Sequence, residues 1–419
     1  MAPPRTNLID DDVLAEILLR LPPGEPEHLF RAALVCKPWL RLICLPAFRS
    51  QYRAFHGAPP LLGLLYRNQV CDGDPAPRFA STTSLPDFPH PASDRCPARP
   101  LDCRHGRVLL HVSHDSDVDL LVWDPVTGDR RVVPDPDVDW MVYTAAVLCA
   151  AAGCDHLDCH GGPFRVVFLA TDDREEVVKA TVYSSATGAW SPPVSLDDSC
   201  ECYARHKRDA TAEMMFFSSY IPYVQPRRVA AIGDAVYFTI SRSSAIAKYD
   251  WGENRLSVID PPPPDTEVYG GFVSLMVMED NSLGLAGVED STSSLHIWSR
   301  TVKGAAKWVQ CMVIDLEKAM PMANPREGHG AYVVGFAEGV GVIFVRTDAG
   351  LFTLELKSGL VKKVDEFGVY FSVLPYMSFY TPGSVLVLSS DGMSSSSVTV
   401  SFFGQTIGDT NPSHNLISQ

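Results

Sequence analysis

Cysteine and histidine gather in one short stretch in the first half of the chain, and these side chains could bind a metal ion. The stretch contains Cys149, Cys154, His156, Cys159 and His160. Thiolate sulfur and imidazole nitrogen are the ligands that zinc prefers in proteins. Structural zinc sites usually show paired cysteine knuckles at regular spacing, and this stretch does not have that pattern. We therefore predict no metal and read Cys149 as a core residue, with zinc as the alternative. Further residues of ligand type follow at Cys200, Cys202 and His206.

Common motifs for nucleophilic catalysis and for phosphate or dinucleotide binding are absent from the sequence. It contains no Gly-x-Ser-x-Gly nucleophile elbow, no phosphate-binding Gly-x4-Gly-Lys-Ser/Thr loop and no Gly-x-Gly-x-x-Gly fingerprint. The pairs Asp172-Asp173 and Asp197-Asp198 could in principle act as acid and base. They lie in predicted hairpin tips, where carboxylates are solvated. We predict no catalytic residue and no cofactor.

Composition indicates which elements carry these residues. The chain is 46% hydrophobic and 20% charged, a composition typical of a folded protein. Its length of 419 residues indicates more than one hydrophobic core. The 33 prolines and 29 glycines favour short elements separated by many turns. A chain of this kind is expected to have an all-β main domain.

Charge is unevenly distributed along the chain. Residues 1–57 contain seven Lys or Arg and six Asp or Glu. Residues 58–419 therefore contain 35 − 7 = 28 basic and 50 − 6 = 44 acidic residues, a balance of −16. Nucleic-acid binding needs a basic surface, so we expect no nucleic-acid partner.

Cysteine usage and apolar runs indicate the compartment. Eleven scattered cysteines, an odd number, do not form a disulfide framework. The first seven residues lack a signal-peptide core, and the run Ala145–Ala152 is far shorter than the ~20 residues that span a bilayer. We expect a cytoplasmic or nuclear protein with no membrane partner.

The N-terminal region shows helical periodicity. Val13, Leu14, Ile17, Leu18 and Leu21 follow helical spacing after an acidic start, and Pro22-Pro23-Gly24 ends the helix. A second helix with a small apolar face and a third around Trp39 follow before Pro46. A basic, aromatic helix over residues 46–57 closes this module. Three such helices expose more apolar surface than they can bury among themselves.

Within this region, Leu8 to Leu45 resembles an F-box, the helical module that docks on the Skp-type adaptor of SCF cullin–RING ubiquitin ligases. The acidic entry, the helix ending at Leu21-Pro22 and the Leu34–Trp39 signature carry the resemblance. The resemblance implies an adaptor as partner, and through it cullin and RING subunits. The adaptor would contact Leu8, Ile9, Leu14, Ile17, Leu18, Leu21, Pro22, Val35 and Trp39.

From Cys103 onward a unit of strands and tight turns repeats about every 50–65 residues. In each copy an aromatic residue or leucine precedes a turn, at Trp123, Tyr183, Tyr249, Trp298 and Leu354. Four-stranded units of this length are typical of a β-propeller, and we predict about six blades. Strands expected at 371–380, 384–388 and 398–403 would form the last blade, closed by residues 61–79. The pattern resembles Kelch-type and F-box-associated propellers.

We therefore predict a multidomain chain of the plant F-box type, with a small all-α F-box followed by an all-β propeller. The predicted parts are the F-box (1–57), a Pro-rich connection (58–102), the propeller (103–403) and a polar tail (404–419). The joined halves resemble the non-catalytic substrate receptor of an SCF ubiquitin ligase, with an unidentified target protein on the propeller. Alternatives are a carbohydrate-binding or oxidase propeller, and an F-box scaffold outside ubiquitination. Candidate aromatics for a binding face are Trp140, Tyr203, Phe216, Phe217, Tyr220, Tyr223 and Trp251.

Overall fold

A computed structural model gives the fold of the chain as two compact units. One comprises Met1–Gly57 with Tyr380–Gln419, and the other comprises Ala58–Phe379. No described helix combines the length and the apolar composition needed to cross a bilayer. The structure describes residues 10–67, 79–84, 88, 98–114, 117–213, 223–240, 245–262, 273–289, 292–301, 306–322, 330–366, 368, 370–385, 400–402 and 405–407.

The first unit is helical at its N-terminal end. Its helices are α1 (Asp11–Leu19), α2 (Glu27–Ala33), α3 (Lys37–Cys44) and α4 (Pro46–His56). The Asp10 side chain caps α1 by accepting a hydrogen bond from the Asp12 N–H (3.4 Å). The Tyr52 hydroxyl of α4 donates to the Leu21 carbonyl (2.8 Å), and His56 donates to the Leu19 carbonyl (2.9 Å). These two bonds tie the C-terminal end of α1 to α4.

A segment from the other end of the chain completes this unit. Phe30 of α2 packs against Tyr380, with ring centroids 5.0 Å apart. Arg49 of α4 donates to the Gly383 carbonyl (3.1 Å), in the helical turn Pro382–Val385. A small strand pair, Val400–Phe402 with Gln405–Ile407, lies beyond this turn in the sequence. The predicted strand over 384–388 is therefore wrong at Ser384 and Val385, and residues 386–388 lie outside the described part.

The second unit is a six-blade β-propeller made of antiparallel sheets. Blade 1 has strands β3 (Ala98–Arg104), β4 (Arg107–His114), β5 (Asp117–Trp123) and β6 (Arg130–Val133). Blade 2 has β7 (Val142–Cys149), β8 (Phe164–Asp172), β9 (Val177–Ser184), β10 (Ala189–Trp190) and β11 (Val194–Leu196). Helix α5 (Glu201–Glu213) leads towards blade 3, which has β12 (Ala230–Ile232), β13 (Ala235–Thr239), β14 (Ile246–Asp250) and β15 (Arg255–Ile259).

The remaining blades repeat this arrangement. Blade 4 has β16 (Ser274–Val277), β17 (Leu283–Glu289), β18 (Ser294–Arg300) and β19 (Trp308–Asp315), followed by α6 (Leu316–Ala319). Blade 5 has β20 (Tyr332–Ala337), β21 (Val342–Thr347), β22 (Gly350–Glu355) and β23 (Val361–Asp365). Blade 6 joins β24 (Ser372–Met377) to β1 (Leu61–Arg67) and β2 (Phe79–Ser81). The prediction of six blades is confirmed.

Blade 6 closes the ring with strands from both ends of the unit. β1 pairs antiparallel with β24, from Leu61 opposite Met377 to Arg67 opposite Ser372. β2 lies on the other side of β1, and its Phe79 ring crosses Gly63 so closely that a Cβ there would lie 2.3 Å from ring carbons. Gly63 therefore permits the close approach of the outer strand.

The turn between the third and fourth strands has the same form in several blades. The N–H groups of Gly128, Gly188 and Gly359 each donate to the carbonyl four residues earlier at 2.8 Å. All three glycines have positive φ, between 70° and 78°, and Asn254 takes the corresponding place with φ 47°. L-residues other than Asn and Asp rarely adopt this conformation, which explains the Gly or Asn at this place in blades 1, 2, 3 and 5.

Apolar side chains between neighbouring blades form the core of the propeller. One buried cluster joins Leu109 of blade 1 to Phe168 of blade 2, and another joins Val167 of blade 2 to Phe238 of blade 3. Other clusters join blades 3 and 4, 4 and 5, and 5 and 6. Each sheet therefore buries both faces only because its neighbours cover them.

The stretch predicted as a Pro-rich connection (58–102) contains strands in the structure. Phe79–Ser81 is strand β2, and Ala98–Pro100 begins strand β3. The first strands of blades 1 to 5 and β24 of blade 6 form the inner ring of the propeller. They contact one another around the ring, as β3 does with β7 and with β24, and so line the propeller axis.

Candidate functional site

The helical unit exposes a set of apolar side chains. Val35 is 63% exposed and Ile17 is 49% exposed. Val13, one helical turn before Ile17, and Leu34, next to Val35, are also exposed. Leu14 and Leu18 face the opposite way and are buried, at 5% and 2% exposure. The apolar residues of α1 therefore divide into a core stripe and a surface stripe, and only the surface stripe can touch another protein.

The predicted adaptor-contact residues fall into three groups in the structure. Leu8 and Ile9 lie outside the described residues. Leu14 and Leu18 belong to the core of the helical unit. The other predicted residues reach the surface fully or in part, and they are Ile17, Leu21, Pro22, Val35 and Trp39. Sequence reasoning did not single out Val13, Leu34 and Leu45 as surface residues, although the i, i+4 spacing of Val13 and Ile17 is a readable signal.

A large cavity of ≈ 1040 Å³ lies at one face of the propeller. The turns between the first and second strands of blades 1 to 5 contribute to its wall. Apolar and flexible side chains line it together with charged ones. The lining includes Trp251, Met276, Met278, Met312, Phe336, Leu356, Arg104, Glu279, Glu338 and Lys357. A concave site of this size with a few charged groups is typical of a binding site.

Four charged side chains form an ion-pair network next to this cavity. Arg104 Nη2 lies 3.2 Å from Glu338 Oε1, and Arg228 Nη1 lies 3.3 Å from the same oxygen. Arg228 Nε also lies 3.3 Å from Asp102 Oδ1. The side chains of Asp102 and Arg104 are almost fully buried, at 0% and 1% exposure. The Val147 N–H of blade 2 donates to Asp102 Oδ2 (3.0 Å).

The network crosses the propeller axis. Asp102 and Arg104 belong to blade 1, Arg228 directly precedes blade 3, and Glu338 directly follows the first strand of blade 5. Blades 1, 3 and 5 are not neighbours in a ring of six, so contacts among them must span the centre. The guanidinium of Arg104 also donates to the Val229 carbonyl, and that of Arg228 donates to the Phe336 carbonyl (3.0 Å). The network therefore closes the centre of the ring beside the cavity.

The pairing shifts the pKa values of Glu338 and Arg228. Burial raises the pKa of Glu338, but the guanidinium groups of Arg104 and Arg228 outweigh burial and lower it overall. Burial lowers the pKa of Arg228, and Glu338 and Asp102 outweigh it to raise that pKa. Glu338 and Arg228 are therefore both held in their charged forms by their ion-pair partners.

His105 lies in the same wall of the cavity, at the turn between β3 and β4. Burial, together with His156 and Arg104, lowers the pKa of His105 to about 3. The Cys149 N–H donates to His105 Nδ1 (3.3 Å), which makes this nitrogen an acceptor. The His105 ring is therefore neutral and fixed in orientation at neutral pH.

The aromatic candidates are dispersed rather than gathered on one face. Trp251 lines the cavity, Trp140 is 36% exposed, and Tyr203 is fully buried in the core between blades 2 and 3. Tyr223 is half-buried. Phe216, Phe217 and Tyr220 lie outside the described residues. Of the candidates that the structure describes, Trp251 is the one placed in the cavity wall.

The Cys and His residues that were weighed as candidate metal ligands divide into separate places in the structure. His160 lies 2.6 Å from Asp124 Oδ2 through Nδ1 and 3.1 Å from Ser378 Oγ through Nε2, and so has a structural role between blades 1 and 6. Cys202 and His206 lie on α5. Among the described residues, the side chains that gather into a group able to hold a metal are Cys149, Cys154, His156 and Cys159. Cys149 and His156 also line the cavity.

Comparison with known proteins identifies the helical unit. Residues 7–51 match the F-box domain family. An F-box protein from Arabidopsis thaliana is 28% identical to this chain over an alignment of 200 residues. The alignment covers 44% of this chain and 45% of that protein. The matched region thus spans less than half the length of this curated relative. F-box domains generally bind Skp-type adaptors within SCF complexes.

Solved structures show a weaker similarity. TolB from Acinetobacter baumannii is 17% identical with a TM-score of 0.36, over 76% of this chain and 70% of that one. The periplasmic gluconolactonase PpgL from Pseudomonas aeruginosa is 15% identical with a TM-score of 0.36, over 76% of this chain and 99% of that one. The Kelch-like type of the propeller repeat stays a prediction. The chain carries an F-box domain at residues 7–51, followed by a six-blade β-propeller.

Proposed function

We propose that this chain is the substrate receptor of an SCF-type cullin–RING ubiquitin ligase. The observation that carries the proposal is the presence, in one chain, of an F-box domain and a closed propeller with a cavity of ≈ 1040 Å³. The F-box would bind the Skp-type adaptor, and through it the cullin and RING subunits. The propeller would bind the target protein. Such a receptor would work in the cytoplasm or the nucleus.

The docking surface for the adaptor is formed by exposed residues of the helical unit. We assign Ile17, Leu21, Pro22, Val35 and Trp39 to this surface, because each is at least partly exposed. We also include Leu8 and Ile9 among the proposed adaptor contacts, because the sequence resemblance to an F-box implies them. Leu14 and Leu18 are buried and would support the surface from beneath rather than contact the adaptor.

The target would be held at the cavity face of the propeller. Five blades contribute turns to this face, so it offers separate contact points to one protein segment. Met276, Met278 and Met312 in the wall have flexible, polarisable side chains that adapt to apolar partners. The unit around the cavity carries most of the acidic excess of the chain, which would favour a target segment with basic residues.

Ubiquitin transfer would then follow from proximity alone. The receptor holds a target lysine near the conjugating enzyme that the RING subunit recruits, which raises the effective concentration of the lysine. This role requires rigid presentation and no catalytic residue of the chain. We therefore propose a non-catalytic function.

Co-purification of the full chain with a Skp-type adaptor and cullin tests the proposal. The Ile17→Asp, Val35→Asp double variant places two charges on the docking surface and should abolish capture of the adaptor. Val132→Asp is the matched control, because Val132 is 66% exposed on the propeller and lies outside the F-box. Retained capture by a folded double variant would overturn the assignment.

The cavity also bears on the alternative, a carbohydrate-binding or oxidase propeller. In that case the cavity would bind a small molecule, and an intact chain would show glycan binding or oxidase activity that Ile17→Asp and Val35→Asp leave unchanged. A scaffold outside ubiquitination would capture the adaptor without cullin. The same co-purification distinguishes these outcomes.

A further inference from the structure

We propose that Cys149, Cys154, His156 and Cys159 form a structural zinc site in the loop between β7 and β8. The Sγ atoms of the three cysteines and a ring nitrogen of His156 all lie within 4.8 Å of one another. Three thiolates and one imidazole are a ligand set of structural zinc sites. The site does not depend on the proposed ubiquitin-ligase role.

The distances fit tetrahedral coordination. A tetrahedral ion with Zn–S bonds of about 2.3 Å and a Zn–N bond of about 2.1 Å places its sulfurs roughly 3.8 Å apart and sulfur and nitrogen roughly 3.6 Å apart. Cys154 Sγ lies 3.5 Å from Cys159 Sγ, and Cys159 Sγ lies 3.7 Å from His156 Nδ1. The side chains are therefore spaced for one ion, with His156 binding through Nδ1.

The loop backbone is built to bring these ligands together. Cys149 ends β7, and the chain then reverses through Gly153 and His156, both with positive φ (65° and 60°). Histidine, like Asn and Asp, is one of the non-glycine residue types that adopt a positive φ. The reversal at these two residues brings the His156 ring close to the thiols of Cys149, Cys154 and Cys159.

Side chains outside the loop hold the ligands in place. The His105 ring stacks on His156 with centroids 4.1 Å apart and planes 9° apart, and its Nδ1 accepts the Cys149 N–H (3.3 Å). The guanidinium of Arg107 donates to the carbonyls of Cys159 and Gly162, the latter at 2.8 Å. Supporting contacts of this kind are typical of metal sites, where they fix ligand orientation. Arg107 would also balance the single negative charge of a zinc ion with three thiolates.

A disulfide is the competing explanation for the close cysteines. The Cys154–Cys159 sulfur distance of 3.5 Å is well beyond a bond of about 2.05 Å, and both residues are free thiols in the structure. A disulfide between them would also leave the convergence of Cys149 and His156 without a cause. Zinc accounts for all four side chains.

The site would be structural and would shape the cavity. All four coordination positions are filled by protein, which leaves none for a substrate. Cys149 and His156 belong to the cavity wall, so zinc would fix this part of the wall by closing the loop between β7 and β8. His156 is exposed and Cys154 half-buried, which gives the ion a path from solvent.

Metal analysis of the full chain, purified under reducing conditions with zinc in the medium, tests the proposal. We expect one zinc per chain in the wild type and a loss of at least tenfold in zinc content in Cys154→Ser and Cys159→Ser. Cys311→Ser is the matched control and should keep one zinc, because Cys311 is an exposed free thiol outside the group. Circular dichroism shows whether each variant is folded.

A cobalt titration keeps the test independent of folding in the variants. Metal-free wild-type chain titrated with Co²⁺ should show a thiolate-to-cobalt charge-transfer band and the d–d bands of a tetrahedral ion. Both should saturate at one equivalent. His156→Ala should weaken cobalt binding while the chain stays folded, because His156 is exposed. Wild-type chain that is reduced and folded but binds neither zinc nor cobalt stoichiometrically would overturn the proposal, as would a Cys154–Cys159 disulfide in protein prepared from a reducing cytosol.

Discussion

Arg104 and Glu338 form an ion pair across the axis of the propeller, with Nη2 and Oε1 3.2 Å apart, although the two residues are 234 positions apart in the chain. Arg104 belongs to blade 1 and Glu338 follows the first strand of blade 5. Arg228, next to blade 3, binds the same carboxylate oxygen (3.3 Å). One side chain thus joins three alternate blades, which neighbour-to-neighbour packing alone cannot do.

Replacing Glu338 by Gln should destabilise the propeller. The variant leaves the guanidinium groups of Arg104 and Arg228 without their shared carboxylate, and we expect a loss of about 2 kcal/mol in the free energy of unfolding. Urea unfolding followed by tryptophan fluorescence measures it, since six of the seven tryptophans lie in the propeller. Glu253→Gln is the control, because its pair with Arg255 is exposed and should contribute little. Equal stability of the two variants would contradict the role assigned to the network.

The same pair predicts a dependence of stability on pH. The pKa of Glu338 is lowered from its ordinary value of 4.5 by the two arginines, against the opposing effect of burial. A carboxylate with a lowered pKa in the folded state stabilises the protein above the ordinary pKa, and this stabilisation is lost as pH falls through the lowered value. The difference in unfolding free energy between wild type and Glu338→Gln should therefore be constant from pH 7 to about pH 5 and shrink below about 4.5. A difference that grows on acidification would show that the carboxylate is not held charged.

Burial separates two kinds of residue within the F-box. Leu14→Ala removes a buried side chain and should cost about 3 kcal/mol of stability of the helical unit. Ile17→Ala, on the next turn of the same helix but 49% exposed, should change stability by less than ~0.5 kcal/mol while weakening adaptor binding. Thermal unfolding and adaptor titration on both variants measure the two effects. Equal destabilisation by both variants would mean that Ile17 belongs to the core.

Sequence reasoning predicted the features that are coded locally. The turns at Gly128 and Gly188 were predicted because positive φ restricts the residue type at a fixed place in each repeat. Trp190 and Trp308 lie in the outer strands of blades 2 and 4, where they have a role that no local pattern reveals. Each indole donates to a carbonyl just beyond the last strand of the preceding blade, Pro134 or Asp260, at 2.8 Å.

Features that depend on distant parts of the chain could not be read in the same way. The first strands of blades 3 and 4, Ala230–Ile232 and Ser274–Val277, are too short to show periodicity. The pairing of Arg104 with Glu338 follows from ring closure and has no local signal. The five ligand-type side chains from Cys149 to His160 were visible in the sequence, and no metal was predicted because they lack the knuckle spacing. The convergence of four of them depends on the chain reversal at Gly153 and His156, which that spacing does not reveal.

Closure of the ring by β1 predicts different effects of two N-terminal deletions. A chain of residues 58–419 keeps β1 and β2, and should show the same urea midpoint for the propeller transition as the full chain. A chain of residues 85–419 lacks both strands, which leaves β24 as an unpaired strand and uncovers the apolar cluster around Leu64, Phe344 and Val373. We expect this shorter chain to aggregate or to lose cooperative unfolding, as measured by light scattering and circular dichroism. A soluble, cooperatively folded 85–419 chain would show that five blades suffice and that β1 does not close the ring.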